Sequence, residues 1–287
     1  MSITVVYLSY IPLGTEKLEY FINSYKKNAA GISHNLIILF NGIKNITELD
    51  PFNEILKKSS LNYKIKISSK KYDIDSYFFI SKMITTEYVC FLNTYSIITT
   101  PNWLLYYYSA FDNAKVGAVG ATGGYGDYQH DLEYINILNN PFSLNLTKLK
   151  KLIYYRFNYY PKILPHIRTN AFMLKTKIFV NLKYKNVNPK ILNLIFRLSR
   201  TKLKSLCFEH GSNSMTSQIK KMGLIPVIVG RDGKAYEEEN WVTSNTFWLS
   251  NQENLLIKDN QTKKFELADN ETKKIMTNSA WTLIKLN

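Results

Sequence analysis

Tyr88-Val-Cys-Phe-Leu-Asn-Thr-Tyr-Ser-Ile-Ile-Thr-Thr-Pro-Asn-Trp103 is the stretch whose reading decides the fold. Tyr88 to Leu92 is a short apolar run with aromatic and β-branched members, the pattern of a strand buried on both faces of a mainly parallel sheet. It stops at Asn93, Thr94, Tyr95 and Ser96, polar residues at the strand's C-terminal end, where open α/β sheets bind their ligands. Pro101 suits the first turn of a following helix, since its missing N–H costs nothing there, and Trp103 and Leu104 begin that helix's apolar face. Taken alone, the stretch fits a core strand followed by an ordinary polar loop. Its context argues for more, because the chain before it alternates strand with helix and so makes this strand central.

Upstream, Ile3 to Leu8 reads as a strand and Ser9 to Gly14 as the loop at its tip. Thr15 caps a helix whose residues Leu18, Phe21, Ile22 and Tyr25 recur at helical spacing to about Ala30, with Gly31 closing it. Leu36 to Phe40 is a second buried strand ending at Asn41-Gly42, Ile46 to Lys58 a helix, and Tyr63 to Ile67 a third strand with alternating lysines. A helix from about Ser76 to Thr85 then leads into the opening strand. There is no G-x-G-x-x-G, so a dinucleotide site is not supported.

Downstream, a helix from Pro101 to about Asn113 precedes a strand at Val116 to Ala121 and the glycines of Thr122-Gly-Gly-Tyr-Gly-Asp, which either turn the chain or let backbone approach a ligand. Residues 131–158 and the region from Phe179 to about Leu206 read as basic helices. Between them, His166, Arg168 and Asn170 alternate with Ile167 and Thr169. As one strand they put three polar groups on a single face, which is costly to bury without partners or a ligand.

Ser212 or Asn213 caps a helix that ends at Gly223, and Glu209 lies just before its positive end. Leu224 to Gly230 is a further strand, Arg231-Asp-Gly a turn, and Trp241, Phe247 and Trp248 belong to an aromatic tail. A last helix, from Asn270, packs back through Ile275, Met276, Trp281, Leu283 and Ile284. With no repeat and no low-complexity linker, one domain is expected over residues 1–287, with a break in role near residue 115.

The 287 residues are 45% apolar and 21% charged, an ordinary globular balance, but 37 Lys and Arg against 22 Asp and Glu give a formal charge of +15. That excess favours anionic partners and affects encounter, not chemistry. Scattered basic residues without a reading motif argue against nucleic acid and suit peripheral contact with a membrane surface. The N-terminus has no charged n-region or cleavage site, and no apolar run is long enough to span a bilayer. Cys90 and Cys207 both lie in apolar stretches, so two buried thiols are expected rather than a disulfide, in keeping with a cytoplasmic setting.

Tyr72-Asp-Ile-Asp-Ser-Tyr, Cys90-Phe-Leu-Asn-Thr-Tyr-Ser, Val119-Gly-Ala-Thr-Gly-Gly, His166-Ile-Arg-Thr-Asn-Ala-Phe, Phe208-Glu-His-Gly-Ser-Asn-Ser-Met-Thr, Val229-Gly-Arg-Asp-Gly and Asp259-Asn-Gln-Thr follow one another in an order that resembles bacterial GT-A fold glycosyltransferases, the family-2-like enzymes of capsule and lipopolysaccharide assembly. The resemblance covers most of the chain. It implies a Rossmann-like α/β fold whose first half binds a nucleotide-sugar through Ser9, Tyr10, Asn41, Asp73 and Asp75, with Asn93, Thr94, Tyr95 and Ser96 near the sugar or diphosphate. It implies a second half, with a C-terminal helical and aromatic extension, that meets a glycan or lipid-linked glycan acceptor and phosphate groups through Gly123, His166, Arg168, Asn170 and Arg231. Glu209 falls where that family places the base of inverting transfer, with His210 as the nearest substitute and Asp232 a more distant one.

The family's acidic metal motif falls on Asn93, Thr94 and Tyr95, none of them acidic. Hard divalent ions such as manganese or magnesium want carboxylate oxygens, so no metal ligand is assigned and metal dependence is left open. Two rivals stand beside the transferase reading: a catalytically inactive GT-A-like domain that binds a sugar or a partner, and, more distantly, a basic nucleic-acid-binding protein.

Overall fold

One eight-stranded sheet runs through the whole chain in a computed structural model, which describes residues 2–70, 72–125, 164–184 and 202–281. The first half alternates: β1 (Ile3–Tyr10), α1 (Glu16–Lys27), β2 (Asn35–Asn41), α2 (Asp50–Ser59), β3 (Lys64–Ser68), α3 (Asp73–Ser81) and β4 (Tyr88–Leu92). Then come β5 (Ile97–Ile98), α4 (Trp103–Ser109), β6 (Val116–Gly120), β7 (Gly123–Gly124), β8 (His166–Ile167), β9 (Ala171–Lys175) and α5 (Thr176–Asn181). The remainder is α6 (Lys202–His210), α7 (Met215–Lys221), β10 (Ile225–Val229), β11 (Ala235–Glu237), β12 (Ile257–Lys258), α8 (Asn260–Leu267) and α9 (Asn270–Trp281).

The order is β11-β10-β6-β9-β4-β1-β2-β3. Strands β3, β2, β1 and β4 are mutually parallel, as are β6 and β10, whereas β9 runs antiparallel between β4 and β6. Because Leu92 pairs with Ala171 and Gly120 with Phe172, the residues just before β9 are delivered to the C-terminal edge of the parallel strands. This is the expected mainly parallel α/β architecture in a single domain.

The apolar runs are continuous because both faces of the sheet are covered. Val5, Tyr7, Ile38 and Phe40 face a layer holding Leu18 and Phe21 of α1, Phe52 and Leu56 of α2, and Trp103 and Leu104 of α4. Val6, Leu8 and Leu39 face the opposite layer, with Ile74, Tyr77 and Ile80 of α3, Phe179, Phe208 and Met215. Tyr7 stacks on Phe21 at 3.8 Å between ring centroids, and Phe78 stacks between Phe179 and Tyr184. Each such side chain, fully buried, contributes about 1.5–3 kcal/mol.

Several boundaries differ from the sequence reading, each for a local reason. Helix α1 stops at Lys27, short of Ala30, because buried Asn28 turns extended and donates its side-chain amide to the carbonyls of Ser24 and Ile98. Thr15 precedes α1 as expected, but its side chain makes no cap bond. Helix α4 begins at Trp103 after a left-handed Asn102, which leaves Pro101 outside it. Helix α3 begins at Asp73, not Ser76, so Asp73 and Asp75 sit in its positive first turn.

Residues 166–170 are not one strand: β8 stops at Ile167, and Arg168 turns back by donating its amide to the Thr122 carbonyl. Glu209 belongs to the last turn of α6, closed by the Gly211 amide on the Cys207 carbonyl, and the cap of α7 is Ser214, not Ser212 or Asn213. The carboxylate therefore takes no stabilisation from a following helix start. Ile275 is 40% exposed, while Met276 and Trp281 are buried. Cys90 is buried, Cys207 only half-buried, and no disulfide joins them. The helices expected over 131–158 and 185–201, and the packing of Leu283 and Ile284, lie outside the described residues. Among those residues no helix is long and apolar enough to cross a membrane.

Candidate active site

The strand tips are joined to one another by side chains that the sequence places just past each apolar run. At β1, Ser9 is buried and the Tyr10 amide donates to Thr94 Oγ1 (3.2 Å), while the Tyr7 hydroxyl donates to the Thr94 carbonyl (2.9 Å). Asn93 Oδ1 accepts from the Tyr95 amide (3.0 Å) and from Ser96 Oγ (3.1 Å), folding residues 93–96 into a tight turn. At β2, Asn41 Nδ2 donates to Ser76 Oγ (2.7 Å), which also accepts from Ser68 Oγ (3.0 Å) and donates to the Tyr72 carbonyl (3.0 Å). One serine of α3 thus ties together the ends of β2 and β3.

Strand β9 brings the second half of the chain to the same place. The Asn93 amide donates to the Asn170 carbonyl (2.8 Å), and Thr122 Oγ1 donates to Asn170 Oδ1 (3.0 Å). Thr169 Oγ1 donates to Glu209 Oε2 (2.7 Å). Arg168 pairs with Asp259 Oδ2 (2.9 Å), a carboxylate with 0% side-chain exposure, and lies over the Phe247 ring at 4.1 Å. His166 Nδ1 is 2.9 Å from the Leu164 carbonyl, which only accepts, so that nitrogen carries the proton. The His166 and His210 rings are 5.1 Å apart.

Two amides frame this edge with unspent polar atoms. Asn41 Oδ1 and Asn170 Nδ2 are buried without a hydrogen-bond partner, as is Asp75 Oδ2. Such groups cost about 1–3 kcal/mol each and native structures hold few of them; Tyr77 Oη, Trp103 Nε1 and Thr176 Oγ1 are buried without a partner as well, so these three atoms are half of those found among the described residues.

The electrostatics separate two carboxylates. Burial pushes Glu209 upward, but His210, Arg168, His166 and the Thr169 hydroxyl outweigh it and hold the carboxyl below its ordinary range, as an anion. Burial raises Asp73 to about 6, against the amide of Ile74, and the charges of Glu209 and Asp75 add to the rise. Asp73 and Glu209 therefore sense each other although they come from opposite halves of the chain. Lys204, on the helix that carries Glu209, pairs with Asp75 Oδ1 (3.3 Å) and so fastens α3 to α6.

Ser9, Tyr10, Asn41, Asp73, Asp75, Asn93, Thr94, Tyr95, Ser96, His166, Arg168, Asn170, Glu209 and His210 thus lie along one edge. Two expected residues are placed differently. Gly123 pairs with Ile167 beside the site, and a Cβ there would meet the Trp241 ring at 2.8 Å, so its missing side chain makes room for a tryptophan. Arg231 is exposed and lines a separate hollow beyond β10, together with Asp232. Thr169, Thr122 and Ser76, quoted in the sequence only as parts of larger motifs and given no role of their own, join the site, as does Lys204. Asp259 had a signal of its own, since Asp-x-x-Thr is a helix-capping pattern, and it forms the capping box of α8.

The acidic metal motif of the family that the sequence resembles falls on residues 93–95, and as placed these side chains do not fit a divalent ion. Asn93 Oδ1 already accepts two hydrogen bonds and Thr94 Oγ1 accepts one. No group of three His, Cys, Asp or Glu suited to a metal occurs among the described residues.

No protein-family model and no curated protein matches the chain. Among solved structures it is similar to a mannosyltransferase from Pyrobaculum calidifontis in complex with GDP-Man and Mn2+, at 12% identity and a TM-score of 0.37 over 61% of this chain and 45% of that one. It is similar to glucosyl-3-phosphoglycerate synthase from Mycobacterium tuberculosis in complex with Mn2+, UDP and glucosyl-3-phosphoglycerate, at 12% identity and 0.38 over 62% and 57%. A third is a Bacillus anthracis structure assigned as a glucose-1-phosphate thymidylyltransferase with sucrose bound, at 10% and 0.39 over 82% and 88%. The chain spans about half the length of the first two. These are loose likenesses, and what the site does rests on its own geometry.

Proposed function

We propose that the chain is a glycosyltransferase of the GT-A kind, moving a sugar from a nucleotide-sugar to an acceptor hydroxyl with inversion. The observation that carries the reading is the anionic Glu209, pinned by Thr169 and sharing one edge with the tips of β1, β2 and β4. In the proposed step the acceptor oxygen bonds to the anomeric carbon as that carbon's bond to the diphosphate breaks. The hydroxyl proton passes to Glu209, and the nucleoside diphosphate leaves with the electron pair. Asn41, Asp73 and Asp75 line the nucleotide side, Asn93 and Ser96 the diphosphate side, and Asn170 lies between donor and acceptor.

Arg168 is committed to Asp259, Thr122 and Phe247, so its part is to hold the charge balance around Glu209. A surface-glycan acceptor, carried on a lipid and met at the inner membrane face, is the finer reading; the sequence resemblance and the +15 charge support it. Residues 1–115 would then serve the donor and 116–287 the acceptor. A sugar-binding domain without turnover is the second reading, favoured by the self-satisfied turn at 93–96.

The test is a panel of nucleotide-sugars screened by thermal shift with EDTA and with Mn2+, followed by turnover assays. One donor is expected to raise the melting temperature in either condition. Glu209→Gln should keep that shift while turnover falls by about 10²–10⁴. Undiminished turnover in Glu209→Gln removes it as the base; if Asp73→Asn is then inactive, the role moves there. Donor binding without turnover in any acceptor mixture selects the second reading, and no donor binding overturns both. Activity lost in EDTA and restored by Mn2+ would show that other oxygens replace the missing acids.

A further inference from the structure

Beyond the end of β10, on the same edge of the sheet, lies an open hollow of about 580 Å³. Its size is within the roughly 300–1,000 Å³ of small-molecule sites. Arg231, Asp232, Tyr236, Asn245, Glu253 and Asn254 contribute to its lining. Part of that lining is fixed. Asn254 Oδ1 accepts from the Asp232 amide (2.9 Å), its Nδ2 donates to Tyr236 Oη (3.1 Å) and to the Ser244 carbonyl (3.0 Å), and the Tyr236 hydroxyl donates to Asp232 Oδ2 (2.7 Å). The guanidinium of Arg231 and the carboxylate of Glu253 are not used in this frame and make no hydrogen bond or ion pair among the described residues.

The segment that runs on from Asn245, one of the lining residues, toward Glu253 is unusually constrained. Asn245, Trp248, Ser250 and Gln252 all hold φ between 46° and 56°, a left-handed backbone that non-glycine residues rarely keep. The strain is held by the Trp248 amide on Gln252 Oε1 (3.2 Å), Ser250 Oγ on Asn245 Oδ1 (3.3 Å) and Gln252 Nε2 on the Thr262 carbonyl (3.0 Å). Strain of this kind persists where surroundings over-determine it, and it concentrates at ligand clamps.

The same segment connects the hollow to the candidate active site. Phe247 lies against the Arg168 guanidinium, and the chain runs on from Asn254 past Thr99, which donates to the Leu255 carbonyl (2.7 Å), to Asp259, the partner of Arg168. Strand β10 stands two places from β9 in the sheet, about 10 Å at the usual strand spacing.

We propose that this hollow is a distal subsite for a neutral sugar residue of an oligosaccharide acceptor whose reacting end lies at Glu209. The proposal rests on the transferase reading. A guanidinium fork and a carboxylate in one lining match the hydroxyls of a sugar, which both donate and accept, and Tyr236 supplies an aromatic surface. Asp232 and Glu253 outnumber Arg231, so a phosphate or acidic sugar meets net repulsion.

The test is an array of defined neutral and acidic oligosaccharides probed with the fluorescently labelled full chain, with donor thermal shifts measured in parallel. The wild type should bind neutral oligosaccharides, and Arg231→Ala and Glu253→Gln should each weaken binding by about ten-fold or more while leaving the donor shift unchanged. Binding confined to acidic glycans, or undiminished in both variants, overturns the subsite. A blank array with a persisting donor shift also overturns it and leaves the transferase reading standing, whereas a blank array with no donor shift removes both.

Discussion

Asp73 and Glu209 are carboxyl groups close enough for the charge of one to raise the other, and their surroundings drive them in opposite directions. Asp73 is raised to about 6 by burial, against an ordinary 3.8, so the folded state prefers it protonated. Its ionised form is therefore a penalty above pH 6, relieved as the pH falls toward 3.8. Asp73→Asn keeps an oxygen for the Ile74 amide and should stabilise the protein by about 1–3 kcal/mol at pH 7.5, with the gain gone by about pH 4. Glu209, held below its ordinary value, contributes stability above pH 4.5 that is lost on acidification, so Glu209→Gln should move the pH 7.5 midpoint the other way. Urea titrations at both pH values check the pair, and a destabilised Asp73→Asn at pH 7.5 would refute the charge assignment. At this scale the sequence brought out polar residues that the fold then gathers at one edge of the sheet, a carboxylate at 209 and amides at 41, 93 and 170, while their roles belong to the proposal. Thr169 was not legible, because a threonine becomes a carboxylate's partner only through a contact across 40 positions.

Helix α8 shows how one element serves both packing and the site. Asp259 caps it through Oδ1 on the Thr262 amide (2.8 Å) and spends Oδ2 on Arg168. Removing the carboxylate leaves a mostly buried guanidinium without its counter-charge, so Asp259→Ala should cost about 3–5 kcal/mol for the ion pair and roughly 1 kcal/mol more for the cap. Asp259→Asn keeps the cap oxygen and should fall between the two proteins. Midpoints from urea denaturation measure both; equal midpoints for Asp259→Ala and wild type would show that the pair contributes nothing. Two of the boundaries that differed from the sequence reading share a cause. Asn28 ends α1 and Arg168 ends β8 through partners supplied by other parts of the chain, whereas Gly211 closes α6 on that helix's own Cys207 carbonyl and the interiors of β1, β2 and β4 follow from their own apolar runs.

At the scale of the whole molecule the parallel half was legible and the join was not. Alternating strands and helices predict parallel neighbours, but no local pattern says that Ala171–Lys175 runs antiparallel into the gap between β4 and β6. That strand joins the two parts of the chain, residues 1–115 and those beyond, into one sheet. Without it β4 keeps an unpaired edge, and Phe91 and Tyr77 lose Phe172, while Phe91 also loses Phe179 of the following helix. Two buried aromatic side chains at about 1.5–3 kcal/mol each are a large part of the 5–15 kcal/mol that holds a domain together. A fragment of residues 1–115 should therefore fail to fold, and the full chain should unfold in one transition with far-UV and near-UV circular dichroism coincident. A fragment with dispersed amide resonances, or two resolved transitions in the full chain, would show that the halves are independent and that β9 merely docks against a finished sheet.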